Sequence, residues 1–401
     1  MSEQIVEPKI RGFISLTAHP DGCAANVRQQ IEIAQIGSPS ETQGEIGNVL
    51  VIGSSTGYGL ASFLVSSFGY GAATLGVCFE KEPTETKPAT AGWYNLVEAH
   101  RLAEVNDLHI ETINGDAFSD EVKQEVVQAI TERFGQLDMV VYSLAAPRRR
   151  DPDGTIWNSV LKPIDEPYTG KSFDLRRHKV IDGMFVEPAN QDEIEATCKV
   201  MGGEDWKSWI ELLSSNGLLA RECRTVAYSY IGPDVTAALY RRGTIGRAKE
   251  HLEKTANELD AFLKPTDGGA WVSINKGVVT QASSAIPGVP LYMSLLFKSM
   301  KQRGTHEGVI EQIVRLFTDH IGPGQTPILD NERRIRLDDL EMEKAVQREV
   351  LERWDLVTDE NLDELTDYAG YRHYFEELFG FDVPGVDYKV PTEVNRNLPN
   401  A

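Results

Sequence analysis

The stretch NVLVIGSSTGYGLA, residues 48–61, joins a continuous apolar strand to a helix through a glycine-rich turn. Its glycines stand at positions 53, 57 and 59, in the pattern GxxxGxG. Such a turn lets the backbone approach a phosphate closely, and it directs free N–H groups and the positive end of the helix dipole at the anion. The stretch therefore predicts a pyrophosphate-binding turn at the start of an α/β unit.

Further apolar strands follow, most of them separated by amphipathic helices. They are AATLGVCFE (72–80), HIETING (109–115), LDMVVYSLA (137–145), CRTVAYSYIG (223–232) and GGAWVSIN (268–275). Buried strands that alternate with helices are typical of a parallel sheet covered on both faces. We therefore expect an α/β fold with a Rossmann-like, doubly wound parallel sheet.

No flexible linker separates independent domains in this chain. We expect one enlarged domain over 1–401, with a Rossmann-like cofactor-binding core at 46–290 and a mainly helical part at 291–401 on the substrate side. An N-terminal hairpin and a polar, turn-rich insertion at 148–179 are additions to this core.

The composition is that of a globular protein with a strong acidic excess. The 401 residues include 40 basic and 61 acidic side chains, a formal net charge of −21. Such a field repels nucleic acid and anionic membranes, so neither is an expected partner. No apolar run approaches the ~18 residues of a membrane span, and the four cysteines form no CxxC pair. We expect a soluble cytoplasmic protein without a metal site, in which His19 and Cys23 cap the edge of the sheet.

Residues suited to a dinucleotide follow the successive strands. Glu80 stands where a dinucleotide fold places the acid that holds the adenosine ribose, which favours NADH over NADPH. Asp116 and Ala117 could flank the adenine ring, and the small residues of SLAAP, 143–147, would let the backbone approach the nicotinamide side. Because the carboxyl ends of parallel strands share one edge, these positions together predict a cofactor groove.

Three tyrosines and a lysine lie in or shortly after the strand CRTVAYSYIG, 223–232. Tyr228 and Tyr230 lie near the strand end, Tyr240 lies in a short turn segment, and Lys249 falls in the second turn of a helix capped by Thr244. A phenol can donate a hydrogen bond to a forming enolate, and a lysine can hold the nicotinamide ribose and lower the pKa of the phenol. The common single-helix pair YxxxK is missing, so the tyrosines could equally be core aromatics beside a solvated basic face.

Several separate stretches resemble one family, the trans-2-enoyl-CoA reductases and the V-type enoyl-acyl-carrier-protein reductases. They are GFISLTAHPDGC, VIGSSTGYGLAS, GVCFEKEPTE, YSLAAPRR, YSYIGP, the Tyr-x8-Lys spacing of YRRGTIGRAK, and WVSINKGVVTQASSAIPGVPLYMSLLFKSMK. These stretches run from about residue 10 to about residue 300. The resemblance implies an extended short-chain-dehydrogenase fold, usually monomeric, that reduces the 2,3-double bond of an enoyl thioester with NADH in fatty acid biosynthesis.

The resemblance also implies roles for individual residues. Tyr240 would be the proton donor, Lys249 the residue that supports cofactor and catalysis, and Tyr230 a contact to the substrate thioester. The implied cofactor-binding residues are Gly53, Ser54, Ser55, Thr56, Gly57, Tyr58, Phe79, Glu80, Asp116, Ala117, Leu144, Ala145, Lys249, Val278, Val279 and Thr280. Tyr228 and Lys276 are expected to be structural or to support the site from behind.

Two other functions are compatible with the residues. One is a ketone or alcohol oxidoreductase that uses the same tyrosine and lysine, and the other is a non-catalytic NADH-binding redox sensor. The carrier also stays open, since CoA and acyl carrier protein both present a phosphopantetheine thioester. An acidic carrier would need a basic patch, for which Arg148–Arg150 with Arg241 and Arg242 are the candidates.

Overall fold

A seven-stranded parallel sheet forms the centre of the molecule, whose computed structural model describes residues 3–85, 87–144 and 146–399. The strands are β1 (Asn48–Ile52), β2 (Ala73–Cys78), β3 (Ile110–Asn114), β4 (Leu137–Tyr142), β5 (Leu219–Ser229), β6 (Gly269–Ile274) and β7 (Ile335–Arg336). Their spatial order is β7-β6-β5-β4-β1-β2-β3. This is the doubly wound order in which the winding direction reverses between β1 and β4, where ligands bind at the carboxyl edge. The predicted fold class is confirmed.

Thirteen helices surround the sheet and extend it within the described residues. They are α1 (Pro20–Gly37), α2 (Gly57–Leu64), α3 (Ala91–Val105), α4 (Asp120–Ala129), α5 (Gln191–Met201), α6 (Glu204–Ser215), α7 (Thr244–Leu263), α8 (Gln281–Ser284), α9 (Val289–Arg303), α10 (Val309–Leu316), α11 (Lys344–Leu356), α12 (Leu362–Leu365) and α13 (Tyr368–Glu377). The apolar faces of sheet and helices bury two large clusters of side chains. No helix in the described part of the chain has the length and apolarity to cross a membrane.

Short hairpins lie outside the sheet. One pairs Ile10–Arg11 with Ile14–Ser15, and another pairs Arg148–Arg150 with Ile156–Asn158. The longest pairs Tyr168–Asp174 with Lys179–Val186. The insertion at 148–179 therefore has regular structure of its own, although its polar composition did not indicate strands.

Two local boundaries differ from the sequence expectation for a physical reason. Helix α7 begins at Thr244, but its N-cap is Gly243, because the Thr244 hydroxyl donates to the carbonyl of Val160 at 2.5 Å instead of capping. The helical signal at 192–216 divides into α5 and α6 at a glycine pair. A Cβ on Gly203 would lie 2.2 Å from Oγ1 of Thr255, so the break lets the chain pack closely on α7.

Candidate active site

The glycine-rich turn lies between β1 and α2, against the end of β4. Gly53 has φ +91°, and a Cβ there would lie 2.2 Å from the carbonyl oxygen of Ser143. A Cβ on Gly59 would lie 1.8 Å from the carbonyl oxygen of Gly53. Both positions therefore exclude any larger residue, and the backbone of residues 53–59 is brought to the carboxyl edge of the sheet.

The start of α2 is suited to an anion. Its N-cap, Thr56, makes no side-chain capping bond, so the first-turn N–H groups do not donate to a capping side chain and can donate to an anion. Gly57 has φ +54°, and the position of its Cβ would lie 3.7 Å from Cγ2 of Thr280, which follows β6. Ser54 donates through its hydroxyl to the carbonyl of Val77 at 3.2 Å. The turn and the loop after β6 thus converge, as a pyrophosphate site between them requires.

Glu80 is held at the end of β2 by both its backbone and its side chain. Asn114 bonds its backbone N–H at 2.8 Å and its carbonyl at 3.1 Å. Ser55 donates to the carboxylate at 2.6 Å, and a Cβ on Gly92, in the first turn of α3, would lie 2.1 Å from that carboxylate. Burial raises the pKa of Glu80. The neighbouring residue Phe79 is 78% exposed at the same edge of the sheet.

The remaining groove residues follow β3, β4 and β6. The Asp116 carboxylate accepts from the N–H of Phe118 at 3.0 Å, and Ala117 is buried in the core. Leu144 approaches the position of a Gly53 Cβ to 3.2 Å. Ala145 lies outside the described residues. The Asp116 carboxylate is therefore bonded within the turn after β3, and Leu144 lies beside the glycine-rich turn.

The segment after β6 is buried and ends in a helix cap. Val278 and Val279 are 7% and 5% exposed. Thr280 is the N-cap of α8, where its hydroxyl accepts from the N–H of Ser283 at 3.0 Å and its own N–H donates to the Ser283 hydroxyl at 2.9 Å. This reciprocal cap fixes the segment that faces Gly57.

The hydroxyls of Tyr58 and Tyr228 form hydrogen bonds with other residues of the protein. The Tyr58 hydroxyl donates to the carbonyl of Lys276 at 2.7 Å, so this side chain ties α2 to the loop after β6. Tyr228 shares a hydrogen bond of 2.6 Å with the hydroxyl of Ser62 in α2, and its ring packs against Tyr58. These contacts join the end of β5 to α2.

Tyr230 directs its phenol at a buried carboxylate from the C-terminal part of the chain. The hydroxyl donates to Oε1 of Glu341 at 2.8 Å, and Tyr292 donates to the same oxygen at 2.6 Å. The N–H of Gly277 donates to the other oxygen at 2.6 Å. Glu341 is fully buried, and that burial raises its pKa, although the three donors act in the opposite direction.

Of the four tyrosines Tyr58, Tyr228, Tyr230 and Tyr240, only Tyr240 has a hydroxyl without a hydrogen-bond partner in the described part of the structure. Its ring meets that of Tyr230 edge to face, with centroids 5.0 Å apart. Across the described ranges, the Tyr240 hydroxyl has no hydrogen-bond partner, although only 6% of the residue is exposed. Burial raises the pKa of the phenol, and the charge of Arg241 lowers it, a role that the sequence interpretation gave to Lys249. At neutral pH the group is therefore protonated and free to donate.

Lys249 reaches the same strand end from the second turn of α7. Its ammonium donates to the carbonyl of Tyr228 at 3.1 Å. Burial lowers the pKa of Lys249 to about 8, against the opposing charge of Glu253. Gly246 donates through its N–H to the Tyr240 carbonyl at 3.0 Å, so the first turn of α7 and the Tyr240 turn are joined. The structure brings Tyr230, Tyr240 and Lys249 together around the end of β5.

Lys276 is buried between the loop after β6 and the segment before α10. Lys276 is only 1% exposed. Its ammonium donates to the carbonyls of Gly277 at 3.0 Å and Glu307 at 3.1 Å. Burial lowers the pKa of Lys276 to about 8. These bonds hold the loop after β6 against the helices that follow.

Sequence reasoning missed Glu341, Tyr292 and Asn114. Glu341 stands 111 positions from Tyr230, in an acidic turn before α11, so no local spacing marks it. Asn114 ends β3 and clamps Glu80, which a polar residue directly after a buried strand could have indicated. His19, read as a sheet-edge cap, instead caps α1 through Nδ1, which accepts from the N–H of Gly22 at 3.2 Å. Metal-binding clusters of three or more side chains are absent from the described ranges.

Three family models cover most of the chain. The model described as the trans-2-enoyl-CoA reductase catalytic region matches residues 87–321, and the one described as the NAD(P)H binding domain of trans-2-enoyl-CoA reductase matches residues 5–85. The model described as the enoyl reductase FAD binding domain matches residues 329–391. The first model alone spans more than half of the chain.

The residues at 329–391 do not fit a flavin dinucleotide. In the described structure they form β7 and the helices α11, α12 and α13, with no glycine turn that leads from a strand into a helix. The inward side chains Val346, Val350 and Trp354 of α11 are buried in the core.

Similar proteins agree with the models over nearly the whole length. The enoyl-[acyl-carrier-protein] reductase [NADH] of Pseudoalteromonas atlantica is 53% identical over 390 residues, which are 96% of this chain and 97% of the relative. The crystal structure of Treponema denticola trans-2-enoyl-CoA reductase in complex with NAD is 49% identical, with a TM-score of 0.92 and 98% of both chains covered. The structure of the Clostridium acetobutulicum enzyme in complex with NADH is 40% identical, with a TM-score of 0.93 and the same coverage. The chain belongs to the trans-2-enoyl-CoA reductase family.

Proposed function

We propose that the protein reduces the 2,3-trans double bond of an enoyl thioester to the saturated acyl thioester with NADH. Bound NADH would supply the hydride that is added to the β-carbon. Residues 53–58 would hold its pyrophosphate at the uncapped start of α2. Glu80, fixed by Asn114 and Ser55, would accept from the adenosine ribose hydroxyls and repel a 2′-phosphate.

The observation that carries the proposal is the free hydroxyl of Tyr240. Hydride addition places negative charge on the thioester oxygen, and a neutral phenol that has no other partner among the described residues can donate a hydrogen bond there. The Tyr230 phenol already donates its proton to Glu341, so it can contact the substrate only through its ring edge or by accepting. Tyr240 is therefore the phenol suited to donate and finally to supply the proton that reaches the α-carbon.

Lys249 would support this donor and the cofactor. Its ammonium uses one donor on the Tyr228 carbonyl, so two of its three N–H groups stay available for a ribose hydroxyl. Its positive charge at the end of β5 would also favour the negative charge that develops on the substrate oxygen. Tyr240 lies in the turn before α7 and Lys249 in α7 itself, and the bond from the Gly246 N–H to the Tyr240 carbonyl holds the turn against the helix.

A substrate panel tests this proposal. Purified protein with NADH should lose NADH absorbance on addition of crotonyl-CoA, with butyryl-CoA as the product. Turnover of acetoacetyl-CoA alone would contradict the proposal in favour of a ketone reductase. Tight NADH binding without turnover of any enoyl thioester would contradict it in favour of a redox sensor.

A further inference from the structure

Arg11, Arg176 and Arg372 line one cavity of about 490 Å³ at the surface. Its volume is in the range of small-molecule sites, ~300–1,000 Å³. Tyr371 also lines it, and the Tyr371 hydroxyl donates to the hydroxyl of Ser284 at 2.9 Å. Ser284 ends α8, which starts directly after Thr280. A single buried side chain therefore connects the cavity wall to the helix beside the candidate active site.

The positive charges of this cavity are only partly balanced. Within the described residues, Arg11 and Arg176 form no ion pair, and Arg372 pairs with Glu376 at 3.1 Å. The guanidinium of Arg176 packs on the turn next to Arg11, because its Nε lies 3.5 Å from the position of a Gly12 Cβ. Arg11 and Arg176 thus line the same cavity without an ion-pair partner in the described structure, and a bound anion would balance both charges. In a chain of net charge −21, such a concentration of cations is a local exception.

The alternative arginines are less available. Arg149 is paired with Asp151 at 2.7 Å, and Arg241 is paired with Glu253 at 3.0 Å. Two of the five basic residues that the sequence suggested as a carrier patch are therefore already neutralised.

We propose that the cavity binds the phosphate of the phosphopantetheine arm that carries the substrate thioester. The proposal rests on the proposed function. Guanidinium groups bind phosphate oxygens in pairs of parallel hydrogen bonds. Ile10, which is 44% exposed, and the partly buried Leu175 on the same lining give the apolar part of the arm a surface to cross. CoA and acyl carrier protein share this phosphate, so one site would serve both carriers.

Three crotonyl thioesters test the proposal: crotonyl-pantetheine, which has no phosphate, crotonyl-4′-phosphopantetheine and crotonyl-CoA. In the double variant Arg11→Glu/Arg176→Glu, KM for the two phosphorylated substrates should rise at least about tenfold, the effect of one lost charged hydrogen bond. KM for crotonyl-pantetheine, and kcat for all three, should stay within about twofold. Arg177→Glu is the matched control, since Arg177 is adjacent, its side chain is 81% exposed, and it does not line the cavity.

The outcomes separate a failure of the phosphate assignment from a failure of the proposed function. An unchanged KM for the phosphorylated substrates, an equal rise for all three, or a rise for crotonyl-CoA alone would overturn the assignment of the phosphate to this cavity. A rise with Arg148→Glu but not with the double variant would overturn it in favour of the other arginines. Failure of the wild-type protein to oxidise NADH with any of the three would instead overturn the proposed function.

Discussion

The hydroxyl of Tyr230 donates to the buried carboxylate of Glu341 at 2.8 Å, which joins the end of β5 to a residue 111 positions later. This bond distinguishes two phenols whose rings are in contact, because the proton of Tyr230 is donated to Glu341 while the Tyr240 hydroxyl has no partner among the described residues. Through Glu341, the C-terminal part of the chain positions Tyr230 and the loop after β6, a contribution that does not require a flavin.

Removal of Glu341 should destabilise the protein. In Glu341→Ala the phenols of Tyr230 and Tyr292 and the N–H of Gly277 lose their acceptor in the interior. We expect a loss of about 3 kcal/mol in the free energy of unfolding, measured by urea denaturation. Glu343→Ala, an exposed acid two positions away, is the control and should change little. Equal stability of both variants would show that the buried carboxylate contributes nothing.

The reaction should lose rate at alkaline pH through Lys249. Its pKa is lowered to about 8 by burial, so the charged form dominates below that pH and is lost as the pH rises through it. The profile of kcat/KM for crotonyl-CoA should therefore fall near pH 8, and Lys249→Met should be slow without that fall. Lys276→Met, which removes the other lysine with a pKa of about 8, should keep the fall. A profile of Lys249→Met that keeps the wild-type fall would contradict this account.

Coenzyme preference should depend on Glu80. In Glu80→Ala the repulsion of a 2′-phosphate is removed, so kcat/KM with NADPH should rise about tenfold relative to that with NADH. Steady-state kinetics with each coenzyme measure this ratio. Glu82→Ala, an exposed acid on the same loop, should leave it unchanged. If both variants shift the ratio equally, the effect comes from net charge rather than from the Glu80 position.

The glycine turn should tolerate no side chain at Gly53. Gly53→Ala combines φ +91° with a Cβ 2.2 Å from a carbonyl oxygen, and we expect a loss of about 3 kcal/mol in the free energy of unfolding. Gly44→Ala measures the cost of a positive φ alone, since Gly44 has φ +77° and a Cβ there would meet open space. It should cost only about 1 kcal/mol. Denaturant titration compares the two. A Gly53→Ala variant as stable as Gly44→Ala would show that the turn is not closely packed.

The sheet and its strand ends could be predicted because their signals are local. Apolar runs such as residues 48–52 mark buried strands, and parallel connections bring the residues after them to one edge. The family and the fold class predicted from these stretches are confirmed by the matched models and relatives.

Other features depend on contacts between distant parts of the chain. The acceptor of Tyr230 lies 111 positions away, and the bond from Tyr58 to the carbonyl of Lys276 spans 218 positions. Both arise from packing that no periodicity reports. The individual roles of the site residues and the division into 46–290 and 291–401 stay predictions, as does the monomeric state.

The central claim is that Tyr240, and not Tyr230, donates the proton. The most direct measurement compares kcat for crotonyl-CoA in Tyr240→Phe and Tyr230→Phe, with NADH binding followed by fluorescence in both. The account predicts that Tyr240→Phe loses at least about 100-fold in kcat while it binds NADH normally, and that Tyr230→Phe retains most of kcat with a raised KM. A Tyr240→Phe variant that keeps wild-type kcat would contradict it.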